Sequence, residues 1–109
     1  MMRDIKSIQE FNALVQQDKP ILIDFYAEWC GPCKALTPVV EHLAEKYEQD
    51  MEIVKINVDE LPAVAQKFEV RSIPTLFFVH ELKIKEKLLG VQLESVLEDK
   101  IQQYSKWSA

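Results

Sequence analysis

Apolar runs separated by amphipathic segments predict an alternation of strands and helices along the chain. Residues 21–27 are nearly all apolar and residues 75–79 are again apolar, while residues 51–58 offer Ile53, Val54, Ile56 and Val58 to a core. Runs of this kind are typical of strands that are covered on both faces of a sheet. Residues 84–89 follow the third run after a short connection, which predicts an antiparallel pair. Residues 2–6 predict a short edge strand.

The amphipathic segments carry apolar residues at helical spacing and predict four helices. The first ends near Asp18, the second covers residues 36–47, the third follows Asp59, and the last starts near Gln92. Helices that connect strands favour parallel pairing, so we expect a parallel core to which the late antiparallel pair is added.

Local sequence signals predict how these elements begin and bend. Ser7 and Glu10 have the spacing of a capping box, in which the Ser7 hydroxyl accepts an N–H and the Glu10 side chain reaches back. Asp59 is expected to cap the third helix, and Pro38 is expected to kink the second. The hairpin at residues 80–83 has no Asn-Gly or Asp-Gly pair, so we expect another turn type or a bulge.

Length and composition exclude several classes of function. The 109 residues predict a single domain, residues 1–109, with a hydrophobic fraction of 48% that is ordinary for globular proteins. A net charge of −5 argues against nucleic acid as a partner. Two glycines are too few for a glycine-rich nucleotide loop. No apolar run is long enough to span a bilayer. We expect no secretory signal, because the chain does not begin with an apolar stretch of signal length.

The two cysteines, Cys30 and Cys33, lie where an apolar strand ends and a helix begins. The first turn of a helix presents unpaired N–H groups and the positive end of the helix dipole, which favour a thiolate. Cys30 is expected near the exposed rim, where it would be the nucleophile. Cys33 is expected further inside, where it would resolve a mixed disulfide.

Two other uses of the cysteine pair have less support. A structural zinc site needs four ligands, and the two histidines, His42 and His80, have no ligand spacing. A purely structural disulfide in so short a loop would stabilise the fold little. The pattern therefore favours redox chemistry through a reversible Cys30–Cys33 disulfide, with no metal.

Four residues outside the pair are candidates for supporting this chemistry. Asp24 lies inside an apolar run, where burial would raise its pKa and poise it for proton transfer, although a bend or a structural partner is the alternative. Lys55 lies on the strand face opposite its apolar neighbours and could simply face solvent. Trp29 could flank the disulfide or pack in the core. Pro74 opens a strand, where the loss of a ladder hydrogen bond needs a reason.

Pro32, between the cysteines, bears on the direction of electron flow. It has no N–H to donate to the Cys30 thiolate and it stiffens the turn. A less stabilised thiolate leaves less readily, so the pair is expected to be reducing.

The chain closely resembles the thioredoxin family. The likeness rests on the run from Asp24 to Lys34, on Pro38, Lys55 and Gly90, and on Ile73-Pro74-Thr75, all in the family's order and spacing. The resemblance implies an α/β thioredoxin fold, in which a central mixed sheet of four to five strands is flanked by four helices.

The resemblance also implies roles for individual residues. The residue that matches Asp24 lies beneath the second cysteine and accepts its proton, and the residue that matches Lys55 approaches that carboxylate. The Ile73–Pro74 bond is expected to be cis, with its loop facing the disulfide. A substrate-docking platform is implied at Trp29, Gly31, Pro32, Ile73, Gly90 and Val91.

The function implied by the resemblance is that of a general protein-disulfide reductase of the cytoplasm, active in electron transfer and cell redox homeostasis. Such a protein binds no cofactor, works as a monomer on disulfide-containing proteins, and receives electrons from NADPH through thioredoxin reductase. Two alternatives stay open. One is an exported disulfide oxidant or isomerase, which Pro32 disfavours, and the other is a scaffold or interaction subunit built on the same fold.

One residue departs from the family pattern. Tyr26 stands where many thioredoxins carry a second tryptophan, and we expect this to alter fluorescence rather than chemistry. Trp107, near the end of the chain, has no role that follows from the sequence.

Overall fold

The computed structural model describes residues 2–106 as an alternation of strands and helices, and Trp107 lies outside these residues. The strands are β1 (Arg3–Asp4), β2 (Ile21–Tyr26), β3 (Glu52–Asn57), β4 (Thr75–His80) and β5 (Lys83–Leu89). The helices are α1 (Ile8–Val15), α2 (Gly31–Lys46), α3 (Pro62–Lys67) and α4 (Glu94–Ser105).

The five strands form one mixed sheet in the order β1-β3-β2-β4-β5. Strand β3 pairs in parallel with β1 and β2, whereas β4 pairs antiparallel with β2 and β5. Every residue of β2 and β4 is buried, as their unbroken apolar runs predict for strands covered on both faces. The predicted mixed α/β fold is confirmed.

The two faces of the sheet carry separate cores. Side chains alternate along a strand, so Ile23 and Phe25 pack on the face of α1 and α3, while Leu22 packs on the face of α2 and α4. The first core contains close aromatic contacts, with ring centroids 4.9–5.9 Å apart, among Phe11, Phe25, Phe68 and Phe77. Asp24 shares the alternation of Leu22 and is therefore directed toward the side of α2.

The start of α1 follows the predicted capping box only in part. Ser7 Oγ accepts the N–H of Glu10 at 3.1 Å, as expected. The Glu10 carboxylate, however, accepts from the N–H of Lys6 at 3.1 Å, one residue before the cap. The helix ends at Val15 rather than near Asp18, because Val15 is the last apolar residue of its stripe.

Two further helix boundaries differ from the sequence prediction. Helix α3 has Leu61 at its N-cap with no side-chain cap bond, so the prediction that Asp59 caps it is wrong. Helix α4 begins at Glu94, not near Gln92. The Gln92 side-chain amide instead donates to the carbonyl of Leu89 at 2.8 Å and so closes the end of β5.

The β4–β5 hairpin turns through two residues in the left-handed region. Glu81 has φ 52° and Leu82 has φ 66°, which is the sign pattern of a type I′ turn that normally uses Asn and Gly. The expectation of another turn type is therefore wrong, because the strand pairing imposes this geometry on unfavourable residues. A register shift next to Phe78 and Val79 adds the bulge that was the second expectation.

Helix α2 runs without interruption past Pro38. Pro38 has no N–H for the carbonyl four residues earlier, while the hydroxyl of Thr37 donates to the Cys33 carbonyl at 2.9 Å. The cysteine pair therefore belongs to the same continuous helix as the residues that fill the core. The kink expected at Pro38 stays a prediction.

Candidate active site

The cysteine pair occupies the N-terminus of α2, directly after the carboxyl end of β2. Cys30 is the N-cap, and Gly31 and Pro32 form the start of the helix. Cys30 and Cys33 are joined by a disulfide. Cys30 Sγ accepts the N–H of Cys33 at 3.2 Å, so a helix N–H already points at this sulfur. A thiolate at Cys30 would receive the same hydrogen bond and the helix dipole.

The contrast in burial expected between the cysteines is nearly absent. Cys30 is 4% exposed and Cys33 is 2% exposed. Cys30 is covered because the loop before β4 approaches it, with the carbonyl oxygen of Ile73 lying 3.8 Å from Sγ. Tyr26 and Ala27 complete the small cluster around the pair. The expectation that Cys30 lies at an exposed rim is therefore wrong, because a loop distant in sequence packs over it.

Asp24 is a buried carboxyl group, with 1% of its surface exposed. Its Oδ1 atom is buried and has no hydrogen-bond partner among residues 2–106. Burial raises the pKa of Asp24 to about 7, and the charge of Lys55 partly opposes this rise. A carboxyl group with such a pKa exchanges protons near neutral pH, which is what a general base needs.

Lys55 lies beside Asp24 on the adjacent strand. The two residues are paired in the parallel register of β2 and β3, and Lys55 is half-buried. Its ammonium nitrogen lies 5.1 Å from the centroid of the Tyr26 ring, a distance at which cation–π attraction operates. The alternative of a lysine directed only to solvent does not hold.

The loop before β4 faces the disulfide, as the resemblance implied. The Ile73–Pro74 peptide bond is cis. The N–H of Gly90 donates to the carbonyl of Pro74 at 2.9 Å, and Gly90 has φ 82°, in the left-handed region that favours glycine. These contacts bring Gly90 and the exposed Val91 next to the proline loop.

Trp29 lies on the surface beside the pair, with 72% of its surface exposed, so the alternative of core packing is wrong. Its indole N–H donates to the carboxylate of Asp59 at 2.9 Å. A shallow groove of about 140 Å³ separates Trp29 from the proline loop. It is lined by Trp29, Val58, Val70, Arg71, Ser72 and Ile73.

Asp59 and Arg71 are site residues that the sequence reasoning missed. Asp59 follows β3 just as Trp29 follows β2, and the carboxyl ends of parallel strands meet at one edge of a sheet. The strand assignment therefore contained a signal for Asp59. Arg71 lies in an irregular loop, and no local pattern points to it.

A second cleft, of about 250 Å³, opens beside Cys33. It is lined by Tyr26, Ala27, Glu28, Cys33, Lys34, Thr37 and Lys55. The cleft therefore brings solvent to the side of the disulfide on which Cys33 and Lys55 lie.

Within residues 2–106, no group of three or more histidine, cysteine or acidic side chains has an arrangement that could hold a metal ion. None of the helices in this part of the chain is long and apolar enough to cross a membrane.

A cysteine pair that forms a disulfide at a helix N-terminus, with a titratable carboxyl group buried on the sheet face toward that helix, defines a thiol–disulfide oxidoreductase. Residues 4–103 match the family model described as thioredoxin. The chain belongs to the thioredoxin family.

Individual relatives agree with this assignment. The chain is 40% identical over 91 residues to thioredoxin of Porphyra purpurea, covering 84% of this chain and 85% of that protein. It is 43% identical over 90 residues to Thioredoxin-1 of Saccharomyces cerevisiae, covering 83% and 86%. It is 36% identical over 106 residues to a chloroplastic M-type thioredoxin of Spinacia oleracea, covering 92% of this chain but only 59% of that longer protein.

The fold agrees as well. A solved structure of a mutant thioredoxin from Halobacterium salinarum superposes with a TM-score of 0.86 at 38% identity, covering 94% of this chain and 89% of the other. The relatives include a chloroplastic form, so family membership leaves the compartment open.

Proposed function

We propose that the protein is a general protein-disulfide reductase that carries electrons to target proteins and contributes to cell redox homeostasis. One observation carries this proposal. The Cys30–Cys33 disulfide caps α2, and Asp24, a carboxyl group with a pKa near neutral pH, is buried on the side of the sheet that faces this helix.

The first step of the proposed cycle is attack by the Cys30 thiolate on one sulfur of a substrate disulfide. The substrate S–S bond breaks, the departing substrate sulfur leaves as a thiolate and takes up a proton, and a mixed disulfide joins Cys30 to the other substrate sulfur. The N–H of Cys33, 3.2 Å from Cys30 Sγ, supports the choice of Cys30 because it stabilises the thiolate before attack.

The second step releases the substrate. The Cys33 thiol gives its proton to the Asp24 carboxylate and its sulfur attacks Cys30 Sγ. The bond between Cys30 and the substrate breaks, the second substrate sulfur leaves as a thiolate and is protonated, and the Cys30–Cys33 disulfide forms. The substrate has gained two electrons and the protein has lost two. Lys55 assists by moderating the pKa of Asp24.

Substrates are proposed to dock on the apolar surface around the disulfide, formed by Trp29, Gly31, Pro32, Ile73, Gly90 and Val91. The exposed indole of Trp29 and the neighbouring groove support this role. Backbone groups of the loop that contains cis-Pro74 would pair with an extended substrate segment. Recognition through backbone and shape explains a broad choice of targets.

The proposed cycle closes when thioredoxin reductase returns two electrons, drawn from NADPH, to the disulfide. The chain itself binds no cofactor in this scheme. We propose that the protein acts as a monomer with one domain, residues 1–109, since every group in the cycle comes from one chain and the family match covers residues 4–103. A reducing pair of this kind fits the cytoplasm, where protein disulfides are mostly catalytic.

The reduction potential of the Cys30–Cys33 pair tests this function directly. The protein would be equilibrated in dithiothreitol buffers, and the fraction of free thiol would be measured. A potential below the cytosolic glutathione poise, roughly −220 to −260 mV by biochemical extraction, is the expected result. A potential well above that range would indicate an oxidant or isomerase, and the absence of a two-electron couple would indicate a scaffold.

A further inference from the structure

Three charged residues lie in a row across the parallel half of the sheet. In the strand registers, Asp4 of β1 is the partner of Lys55 on β3, and Lys55 is the partner of Asp24 on β2. Residues paired in register direct their side chains to the same face of a sheet. Lys55 is therefore the central cation of a row that has a carboxyl group on either side.

The Tyr26 side chain contacts two members of this row, Asp4 and Lys55. It lies two residues after Asp24 on β2, so its side chain leaves the same face of the sheet. Its hydroxyl donates to Asp4 Oδ2 at 2.5 Å, and its ring centroid lies 5.1 Å from Lys55 Nζ. Burial and the neighbouring Asp4 carboxylate raise the pKa of Tyr26, so the hydroxyl stays protonated and remains a donor.

The Lys55 ammonium is directed toward Tyr26 rather than bonded to Asp24. Asp24 Oδ1 has no hydrogen-bond partner in the described part of the chain, although Lys55 is its neighbour in register. An unpaired buried carboxylate oxygen beside a lysine is costly. Oδ1 of Asp4, on the other side of Lys55, likewise has no hydrogen-bond partner among residues 2–106, and the Lys55 ammonium lies over the Tyr26 ring.

The remaining charged groups act on Asp4 or border the cleft. Lys6 Nζ lies 3.3 Å from Asp4 Oδ2 and 3.0 Å from Glu60 Oε1. Glu28 and Lys34 line the cleft that Lys55 and Cys33 share. Among these contacts, the Tyr26–Asp4 hydrogen bond links the ring over which Lys55 lies to the carboxylate on the other side of Lys55.

We propose that Tyr26 and Asp4 are positioning residues for the proton transfer, acting through Lys55. The Tyr26 ring, anchored by the Asp4 carboxylate, holds the Lys55 ammonium at the edge of the row and limits how strongly it stabilises ionised Asp24. Asp24 thereby keeps enough basicity to accept the Cys33 proton. Tyr26 thus influences the chemistry, contrary to the sequence expectation that it alters only fluorescence. This inference rests on the proposed role of Asp24 in the second step of the cycle.

The experiment follows the second step alone. Reduced protein is mixed with dithiobis-nitrobenzoate, which releases one coloured thionitrobenzoate when Cys30 attacks and a second when Cys33 attacks Cys30. The rate of the second release is recorded against pH in stopped flow. Its midpoint on the pH axis reports the ionisation that limits Cys33.

Tyr26→Phe keeps the ring and removes the hydroxyl, with its bonds to Asp4 and to Asn57, without changing any charge. We expect its midpoint to move down by about one pH unit, the size of shift that one freed opposite charge produces, because Lys55 can then approach Asp24. Asp4→Asn should shift the midpoint in the same direction. Asp50→Asn is the matched control: it makes the same change of charge in the loop before β3, away from the row, and its midpoint should equal that of the unmodified protein.

A Lys55→Met background separates positioning from a direct field effect. If Tyr26 and Asp4 act through Lys55, neither substitution shifts the midpoint further when Lys55 is absent. An unshifted midpoint in Tyr26→Phe, or a full shift of Asp4→Asn that persists in Lys55→Met, would overturn the proposal. Circular dichroism tests whether each variant is folded. If Tyr26→Phe does not fold, the midpoints of Asp4→Asn with and without Lys55→Met decide whether the proposal holds.

Asp24→Asn distinguishes failure of this inference from failure of the proposed function. If this variant keeps the original midpoint, Asp24 is not the proton acceptor and the proposed second step is wrong. If Asp24→Asn abolishes the midpoint while Tyr26→Phe leaves the pH profile unchanged, the positioning role of Tyr26 is wrong and the proposed second step stands.

Discussion

Asp24 and Lys55 are neighbours in the parallel register of β2 and β3, yet the pKa of Asp24 stands at about 7. Desolvation of the buried carboxyl group outweighs the attraction of the adjacent ammonium. The two groups therefore do not form a structural ion pair, and Asp24 has the near-neutral pKa that a general base requires. This balance has consequences for stability and for rate that can be measured separately.

Asp24 is expected to destabilise the oxidised fold above neutral pH. Its folded pKa, about 7, exceeds its unfolded value, 3.8, so the folded chain binds the extra proton between these values and stability falls as pH rises through this window. The full cost is present above pH 7 and absent below pH 4, and it reaches about 4 kcal/mol at 1.36 kcal/mol for each unit of pKa. Asp24→Asn should therefore raise the free energy of unfolding in urea at pH 8 and leave it unchanged near pH 3.5. An equal gain at both pH values would contradict the assignment.

Lys55→Met is expected to slow the second step of the cycle at neutral pH. Loss of the cation removes the influence that lowers the Asp24 pKa, and a rise of about one unit would reduce the ionised fraction at pH 7 from about one half to about one tenth. The second release of thionitrobenzoate should slow about fivefold at pH 7 and recover at higher pH. Lys55→Arg, which keeps the charge, is the control and should retain most of the rate.

Cys33→Ser should trap a covalent complex with disulfide substrates. Cys30 can still attack, but no second thiol remains to release the mixed disulfide. Intact-mass measurement of the variant after incubation with a disulfide-bonded peptide should find the mass of the protein plus one peptide half. Cys30→Ser is the matched control and should remain unmodified. A complex that forms with Cys30→Ser instead would reverse the proposed roles of the two sulfurs.

Gly90→Ala should destabilise the fold through backbone strain alone. Gly90 has φ 82°, and a methyl group at this position would meet no atom within 4 Å, so the cost is that of a left-handed residue, about 1–2 kcal/mol. Urea denaturation should detect a lower midpoint with an unchanged slope. Gly31 also has open space around it and is not in the left-handed region, so Gly31→Ala should cost much less. Equal losses in the two variants would mean that strain at residue 90 is not the cause.

Much of the fold and the chemical centre could be predicted from local sequence. Apolar runs located β2 and β4, because strands buried on both faces need nearly continuous apolar side chains, and the apolar residues among 51–58 located β3. The spacing of Cys30 and Cys33 after the first of these runs indicated a redox pair at a helix start. The resemblance to a family added the cis-Pro74 loop, which no local rule for an X-Pro bond would predict.

The errors have a common origin in contacts between distant segments. Asp59 is a residue type suited to helix capping, but its carboxylate accepts a hydrogen bond from the indole N–H of Trp29 instead. Cys30 is covered because Ile73, 43 residues later, packs over it. The Glu81-Leu82 turn adopts left-handed geometry because the pairing of β4 with β5 requires it.

Residue type and short-range spacing were enough to predict the order of the elements and to place two thiols at the N-terminus of a helix, and matching residues from Asp24 to Gly90 indicated the family. The contacts of the groups around those thiols emerged only from the folded chain. Strand register placed Asp4, Lys55 and Asp24 in one row and brought the Tyr26 hydroxyl to Asp4. Register depends on how whole strands pack against one another, and this is why the environment that tunes the Asp24 carboxyl group could not be derived from any local pattern.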